Sequence, residues 1–549
     1  MPTKLPLRLF LRFSLLPVLL LSPAALRAQT SGAPPSHLGK VDFHTSCSTD
    51  AQLLFEQALA LLHSFQYMQA RQTFEQAQTS DHNCAMAHWG VAMSLYEQLW
   101  EFPDDKQLTE GRKQIELAQS LHPQTPQERG FVAAAATFYQ RSSKLTHTER
   151  IKAYSLAMEN FHQKLPDDVE VGSFTALSLI ALAENEVDSL ANQKQAIAIL
   201  NPLFEKYPDH PGVAHYLIHA ADRPELASQG LAAARRYAEI APDSPHALHM
   251  PSHIFVRLGL WQDSISSNIA SSASAARATE EHHAEWHYQT HAMDFLNYSY
   301  LQSGLEAKAR EVVANIDHVV GADDQTKAQY RSYLATRTAL DLHRWKEAAG
   351  LEIPAIRKDQ QDNAYWARAI GAARSGDVAA AETAVKQLAE CVKLREERAR
   401  KQGYEVSNEK ATDLREAEAW LAYARGETQQ ALDELRAAAA RQEQNGGETV
   451  VIPAREMLAD MLNELKRHSE ALDEYKIVLK NAPNRFDALL GAGRAAEAAG
   501  NSADAQEFYV KLVEDCPQGA DRPELAEART VAARKSENAN SEPTVHKKR

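Results

Sequence analysis

Near its C-terminal end the chain repeats itself at a fixed step. Ala471, Tyr475, Val478 and Pro483 return 34 residues later as Ala505, Tyr509, Leu512 and Pro517, and Ala459 returns as Gly493. A period of that length holds two short helices and two turns, with small residues where the helices cross and proline past the second helix. The middle of the chain keeps the same beat. Ala196, Gly230 and Ser264 are 34 apart, as are Pro208 and Pro242. At 549 residues the chain exceeds what one hydrophobic core usually supports, and a repeat array resolves that. Alanine runs such as Ala133–Ala136 and Ala437–Ala440 favour helix. Alternating β-branched runs that would read as strands are nearly absent.

Looser copies place a glycine five residues before a small residue: Gly304/Ala309, Gly376/Ala381, Gly426/Ala431 and Gly500/Ala505. Ala70, Phe74 and Ala77 mark an early repeat. The spacing is similar to that of tetratricopeptide (TPR) repeats. It predicts an all-α fold, a right-handed α-α superhelical solenoid of roughly ten TPR-like helix pairs, each pair burying its apolar face against its neighbours. We divide the chain into a targeting segment (1–28), a flexible leader (29–44), an N-terminal TPR-like array (45–320), a C-terminal TPR array (321–530) and a disordered basic tail (531–549).

The targeting segment reads as a signal peptide. Lys4, Arg8 and Arg12 precede a short apolar stretch, Leu15 to Leu21, and Ala28 marks the cleavage point. That stretch is too short, and too interrupted by Pro17 and Pro23, for a membrane span. No transmembrane segment is therefore expected in the mature chain, and the predicted location is periplasmic or secreted. Cleavage removes four of the 59 basic residues and none of the 73 acidic ones, leaving a formal charge of −18. Such a balance argues against nucleic acid as a partner.

Four cysteines are too few for a disulfide scaffold. Cys391 and Cys516 have no evident partners. Cys47 and Cys84 each precede the first helix of successive repeats, where parallel helices begin close together, so these two are the candidate disulfide.

Ten of the 22 histidines fall between His210 and His291. They follow the repeat. His215 and His219 return 34 residues later as His249 and His253, and again as His283 and His287. Spacing of i, i+4 puts each pair on one helix face. Asp222 follows the first pair and His246 precedes the second. The third continues as a stripe through His291, Asp294 and Tyr298. Pro211 and Pro245 look like helix starts, whereas Pro251 falls inside a histidine helix and must kink or restart it.

The segments Cys84-Ala-Met-Ala-His-Trp-Gly-Val-Ala-Met, His210-Pro-Gly-Val-Ala-His-Tyr-Leu-Ile-His-Ala and His246-Ala-Leu-His-Met-Pro-Ser-His-Ile-Phe resemble a group of exported bacterial TPR proteins. The resemblance covers roughly residues 40–300 and implies fold and export, not a reaction. TPR proteins line a concave wall with first-helix residues. By that resemblance His215, His219, Asp222, His246, His249, His253, His283, His287, His291, Asp294 and Tyr298 face a binding groove.

Two functions follow. The first is a scaffold that captures a peptide or protein partner in the groove, with Trp89, Trp286 and Trp366 either anchoring it or packing between helices. The second is a divalent-metal site, with His215, His219, His249, His253, His287 and His291 as candidate ligands for zinc or copper. A carboxylate from Asp222, Asp294 or Glu285 would assist, and a metal-dependent enzyme would be its extension. Otherwise the imidazoles bond to one another and to Tyr216, Tyr288 and Tyr298, holding helices in register. His283-Ala-Glu-Trp-His287 misplaces its Glu for a metalloprotease helix. No phosphate-cradling loop or Gly-x-Ser-x-Gly elbow occurs, so the balance leans away from an enzyme.

Overall fold

A computed structural model describes residues 37–540 apart from 100–101, 141–143, 185–188, 283–285, 405, 408, 445 and 447–449. The predicted signal peptide, the first part of the leader, the last nine residues and His283 lie outside the described residues. Every regular element among the described residues is a helix. Consecutive helices pack on one another along the chain, the arrangement of an all-α solenoid of helix pairs.

The turn inside each pair explains the glycine spacing. Gly304 has φ +69° and the next helix, Glu306–Asn315, starts two residues on. Its neighbour Leu305 donates its N–H back to Tyr300 O at 2.9 Å, which satisfies an orphan carbonyl of the preceding helix end. Gly259, Gly376, Gly426 and Gly500 take the same left-handed place. So, at the cost of strain, does Phe65 (φ 55°), two residues before the helix Tyr67–Ser80. Small residues elsewhere permit close crossing. A Cβ on Gly493 would lie 2.9 Å from the ring of Tyr509, which is why Ala459 recurs there as glycine.

Two large apolar cores result, one from Leu38 to Phe255 and one from Ala339 to Ala528. A smaller, separate cluster runs from Ile265 to Leu334, so the boundary drawn at 320 falls inside packed structure. His37–Arg549 is one compact unit. No helix among the described residues is long and apolar enough to cross a membrane.

Aromatic side chains fill the inner side of the first array: Trp89 lies 5.2 Å from Phe131 and 5.4 Å from Phe174 on successive first helices, and Phe43 of the leader lies 5.2 Å from Phe55. Trp89 is fully buried and is a packing residue. Helix Thr49–His63 also returns to contact helix Pro211–Ala220, closing the wall on itself.

Two expectations at the chain ends need correction. The leader is not loose from residue 37 onward. Leu38 and Phe43 are buried, and Lys40 donates its N–H to Asp209 O at 3.0 Å. Two apolar anchors in a polar stretch suffice to dock it, since each buried side chain contributes about 1.5–3 kcal/mol. The tail is also shorter than expected, because the last helix, Leu525–Asn540, runs well past residue 531. Cys47 and Cys84 form a disulfide, with Cα atoms 4.8 Å apart, while Cys391 and Cys516 are free thiols.

Candidate metal centre

The histidines sit on four helical segments whose starts are locally encoded. Pro211 opens helix Pro211–Ala220 behind His210, whose Nδ1 accepts the Val213 N–H at 3.2 Å. Pro245 opens Pro245–His249 behind Ser244, whose hydroxyl accepts the Ala247 N–H. Pro251 restarts the chain as Pro251–Arg257. Met250 keeps helical angles (φ −53°, ψ −35°), so the axis continues while one backbone bond is lost. The break separates His246 and His249 from His253. The fourth segment is Trp286–Gln302.

Six imidazoles gather into two triads. In the first, His215 Nε2 lies 3.0 Å from His246 Nε2 and 3.1 Å from His219 Nε2. In the second, His249 Nε2 lies 3.0 Å from His253 Nε2, and His291 completes the group with its ring centroid 4.3 Å from that of His249. Within each triad, one ligand-type nitrogen per residue falls within 4.8 Å of the others.

The opposite ring nitrogens fix the tautomers. His215 Nδ1–H donates to His63 O at 2.6 Å, and His253 Nδ1–H donates to Asp222 Oδ2 at 2.7 Å. His249 Nδ1–H donates to Asn268 Oδ1 at 2.7 Å. The amide is oriented by its own Nδ2, which donates to Ser264 O. A carbonyl, a carboxylate and an amide oxygen only accept, so each Nδ1 keeps its proton and each Nε2 presents a lone pair. In the second triad two lone pairs face each other across 3.0 Å. That contact is repulsive unless a cation or a proton lies between them.

Burial disfavours the charged form at five of the six imidazoles. It pushes His219 and His291 down to about 3, with the His253 charge adding to both shifts, and lowers His215, His246 and His249 well below the usual imidazole value. Burial would raise the Asp222 carboxyl, but Arg257 and His253 prevail and hold it far below the carboxylate range. Arg257 Nε donates to Asp222 Oδ1 at 2.8 Å.

Not every expected residue joins. His287 belongs to neither triad and lies against Tyr288, centroids 4.0 Å apart. Asp294 is paired with Arg337, and Tyr298 accepts from Arg485 Nη1 at 3.1 Å, deep between the two arrays. Glu285 lies outside the described residues. The groove-facing placement is also corrected: His215, His246 and His249 are 0, 3 and 1% exposed. The turn at Phe65 closes over them, its ring 4.3 Å from His215 and 5.6 Å from His246, and Tyr288 OH donates to Phe65 O. His219, His253 and His291 remain half-buried.

A third group, His63, Glu170 and His210, is fully used by its own bonds. His63 contacts Glu170 Oε2 at 2.9 Å and Tyr216 OH at 2.9 Å, while His210 contacts Glu170 Oε1 at 2.8 Å. No nitrogen is left over, so this group holds helices rather than a ligand. Sequence reasoning missed it, and His63 and Glu170 carry no repeat signal. Phe65 did leave one, since it stands, like His343 and Lys466, where Gly259, Gly304, Gly376, Gly426 and Gly500 stand in other pairs. His246, read as a groove residue, completes the first triad.

Between the two arrays lies a cavity of about 1410 Å³, lined among others by Asp222, Arg257, Trp366, Arg395 and Glu416. Asp222 thus touches both the cavity and the second triad.

A tetratricopeptide-repeat family model matches residues 487–519. Among solved structures, a human IFIT1 dimer with PPP-AAAA is 14% identical, covers 78% of this chain and 90% of its own, and has a TM-score of 0.34. Yeast Tom70 is 12% identical, covers 90% and 97%, and has a TM-score of 0.33. No curated protein sequence matches the chain. Residues 487–519 are thus one tetratricopeptide repeat within an all-α solenoid of helix pairs.

Proposed function

We propose that this protein binds first-row transition-metal ions, zinc or copper, through the triads His215/His219/His246 and His249/His253/His291. One observation carries the reading. Nδ1–H bonds to pure acceptors leave the His249 and His253 Nε2 lone pairs facing each other at 3.0 Å, and aim the His215 Nε2 lone pair at His246 and His219 at 3.0–3.1 Å. With metal–nitrogen bonds of about 2.0–2.1 Å, two ligands stand about 2.9 Å apart at a right angle and about 3.3 Å at the tetrahedral angle. The observed separations fall in that interval. His63 O, Asn268 and Asp222 orient the rings as supporting acceptors do around ligating histidines.

Metal analysis tests this. Protein stripped with chelator, reloaded with Zn²⁺ or Cu²⁺ and dialysed should retain two ions per chain. His249→Ala with His253→Ala should retain one, with helicity nearly unchanged by circular dichroism. Retention of no stoichiometric metal by the wild type would sink the proposal and leave the imidazoles as register-keeping partners.

The cavity favours a second role, capture of a peptide or protein segment between the arrays, using Trp366 and the flanking charges. Trp366→Ala should weaken such a partner at least tenfold and leave metal content untouched. Our reading includes export. The basic and apolar segment of residues 1–28 and the Cys47–Cys84 bond support it. N-terminal sequencing of protein from the oxidising compartment should begin at Gln29, and an intact Met1 there would refute it.

A further inference from the structure

We infer that the two triads form a single dinuclear centre whose ions share a small bridging anion. The inference rests on metal binding at the triads. His219 faces His253 at a ring-centroid distance of 6.4 Å, and His246 faces His249 at 6.3 Å. His246 stands one turn from His249 on the same short helix, so an ion in either triad lies beside the other. Two-metal sites commonly place their ions about 3.5–4 Å apart.

Charge identifies the missing ligand. All six protein ligands are neutral imidazoles, and two divalent ions would bring four positive charges into a largely buried site. Two carboxylates beside the site are already matched, Asp222 by Arg257 and Asp294 by Arg337, and the charge of Glu184, which acts on His253, would offset one of the four at most. An uncompensated charge of that size is costly away from water. Three protein nitrogens leave at least one position open on each four-coordinate ion. An exogenous anion meets both needs, and one placed between the ions compensates both at once.

The walls restrict its size. Phe65 roofs the first triad at 4.3 Å from His215. Phe295 walls the second at 4.7 Å from His249 and 4.5 Å from His253. Both rings are almost wholly buried, at 1% and 2% exposure. Apolar rings on two sides admit hydroxide, azide or a ligand of similar bulk. They offer no hydrogen bonds to a sugar, a nucleotide or a peptide. The ligand class is therefore a small anion that bridges metal ions.

The full-length mature chain loaded with Cu²⁺ and titrated with azide tests this. Two copper ions should bind per chain. Azide should saturate at one per two coppers, with a new charge-transfer absorption, and the double-integrated electron paramagnetic resonance signal should fall well below half of the bound copper. His249→Ala with His253→Ala should retain one copper with its full spin count. Two coppers with two full spins, or azide saturating at one per copper, would overturn the dinuclear centre while leaving metal binding intact. Retention of one copper by the wild type would overturn it as well. No copper bound would remove both readings. The wild-type measurements decide the matter even if the variant fails to fold.

Discussion

The first array buries histidines and the second buries ions. Between Leu38 and Phe255 the interior polar groups include His63, His215, His246 and His249, bonded to carbonyls, amides and each other, with Glu170 held between two imidazoles. Beyond residue 320 the corresponding depth is occupied by guanidinium–carboxylate pairs. Arg485, fully buried, reaches Asp341 at 2.6 Å and Glu456 at 2.7 Å, and Arg522 reaches Asp487 at 2.8 Å. The acidic trio Asp341, Glu456 and Asp487 has the outline of a metal site, yet its two arginines already supply the positive charge. The histidine triads have no such resident cation. Two clusters of potential ligands on one scaffold thus differ in whether the chain has already satisfied them, and that difference marks the triads as the place for an added ion.

The largest effect is expected at the ionic side. Arg485→Met strips the partner from two buried carboxylates and should cost about 3–5 kcal/mol, because the stranded charges cannot reach water. Urea unfolding of the full chain would show it. A loss below about 1 kcal/mol would mean that the second array does not depend on its buried ions. The disulfide comes next. Cys47→Ala with Cys84→Ala releases a 37-residue separation at the start of the histidine array and should cost about 3–4 kcal/mol. Unchanged unfolding midpoints after reduction would show that the first array is held by its aromatic wall alone.

How far the two halves could be read from the sequence differs for the same physical reason. The second array follows the repeat closely, since Ala471, Tyr475, Ala505 and Tyr509 are buried by nearest neighbours and short-range spacing decides their place. The histidine period was equally plain, and it put His215, His219, His249 and His253 in equivalent positions. What spacing does not encode is curvature. The return of helix Thr49–His63 onto Pro211–Ala220 sets residues more than 140 apart in contact. It turns an expected groove wall into an interior and brings His63 and Phe65 over the triads. Glu170 owes its role to the same long-range packing, whereas Asn268 reaches His249 from the next helix, 19 residues on. His287 kept the period but was carried off the cluster by its own helix register.

At His147 alone, acid should act on the first array by a smaller margin. His147, stacked on Phe102 and buried, is pushed down to about 4 by burial and by the Arg150 charge. Its proton is therefore bound more tightly in the unfolded chain, where an imidazole titrates near 6.5. Stability from this residue is complete above pH 6.5 and is lost as pH falls toward 4. By pH 5 the loss should reach about 2 kcal/mol. His147→Phe should flatten that slope in metal-free protein. An unchanged slope would place the acid sensitivity elsewhere.

The smallest effect concerns the turn at Phe65, where, as at His343 and Lys466 in the second array, a side chain takes the left-handed place that glycine holds in other turns. Gly500 holds φ +82° with nothing within 4 Å of an added Cβ, so Gly500→Ala measures the backbone cost alone, about 1 kcal/mol. Phe65 bears a similar cost at φ 55° and keeps it because its ring is buried against His215, His219 and His246. Phe65→Gly therefore returns about 1 kcal/mol of strain while forfeiting about 2–3 kcal/mol of aromatic burial. The expected net loss is about 1–2 kcal/mol, read by urea unfolding of metal-free protein. Because the ring also roofs the first triad, metal at His215, His219 and His246 should exchange faster with chelator in this variant than metal at the second triad. If Phe65→Gly instead stabilises the protein and leaves exchange at both triads alike, the ring is incidental and the turn is merely strained.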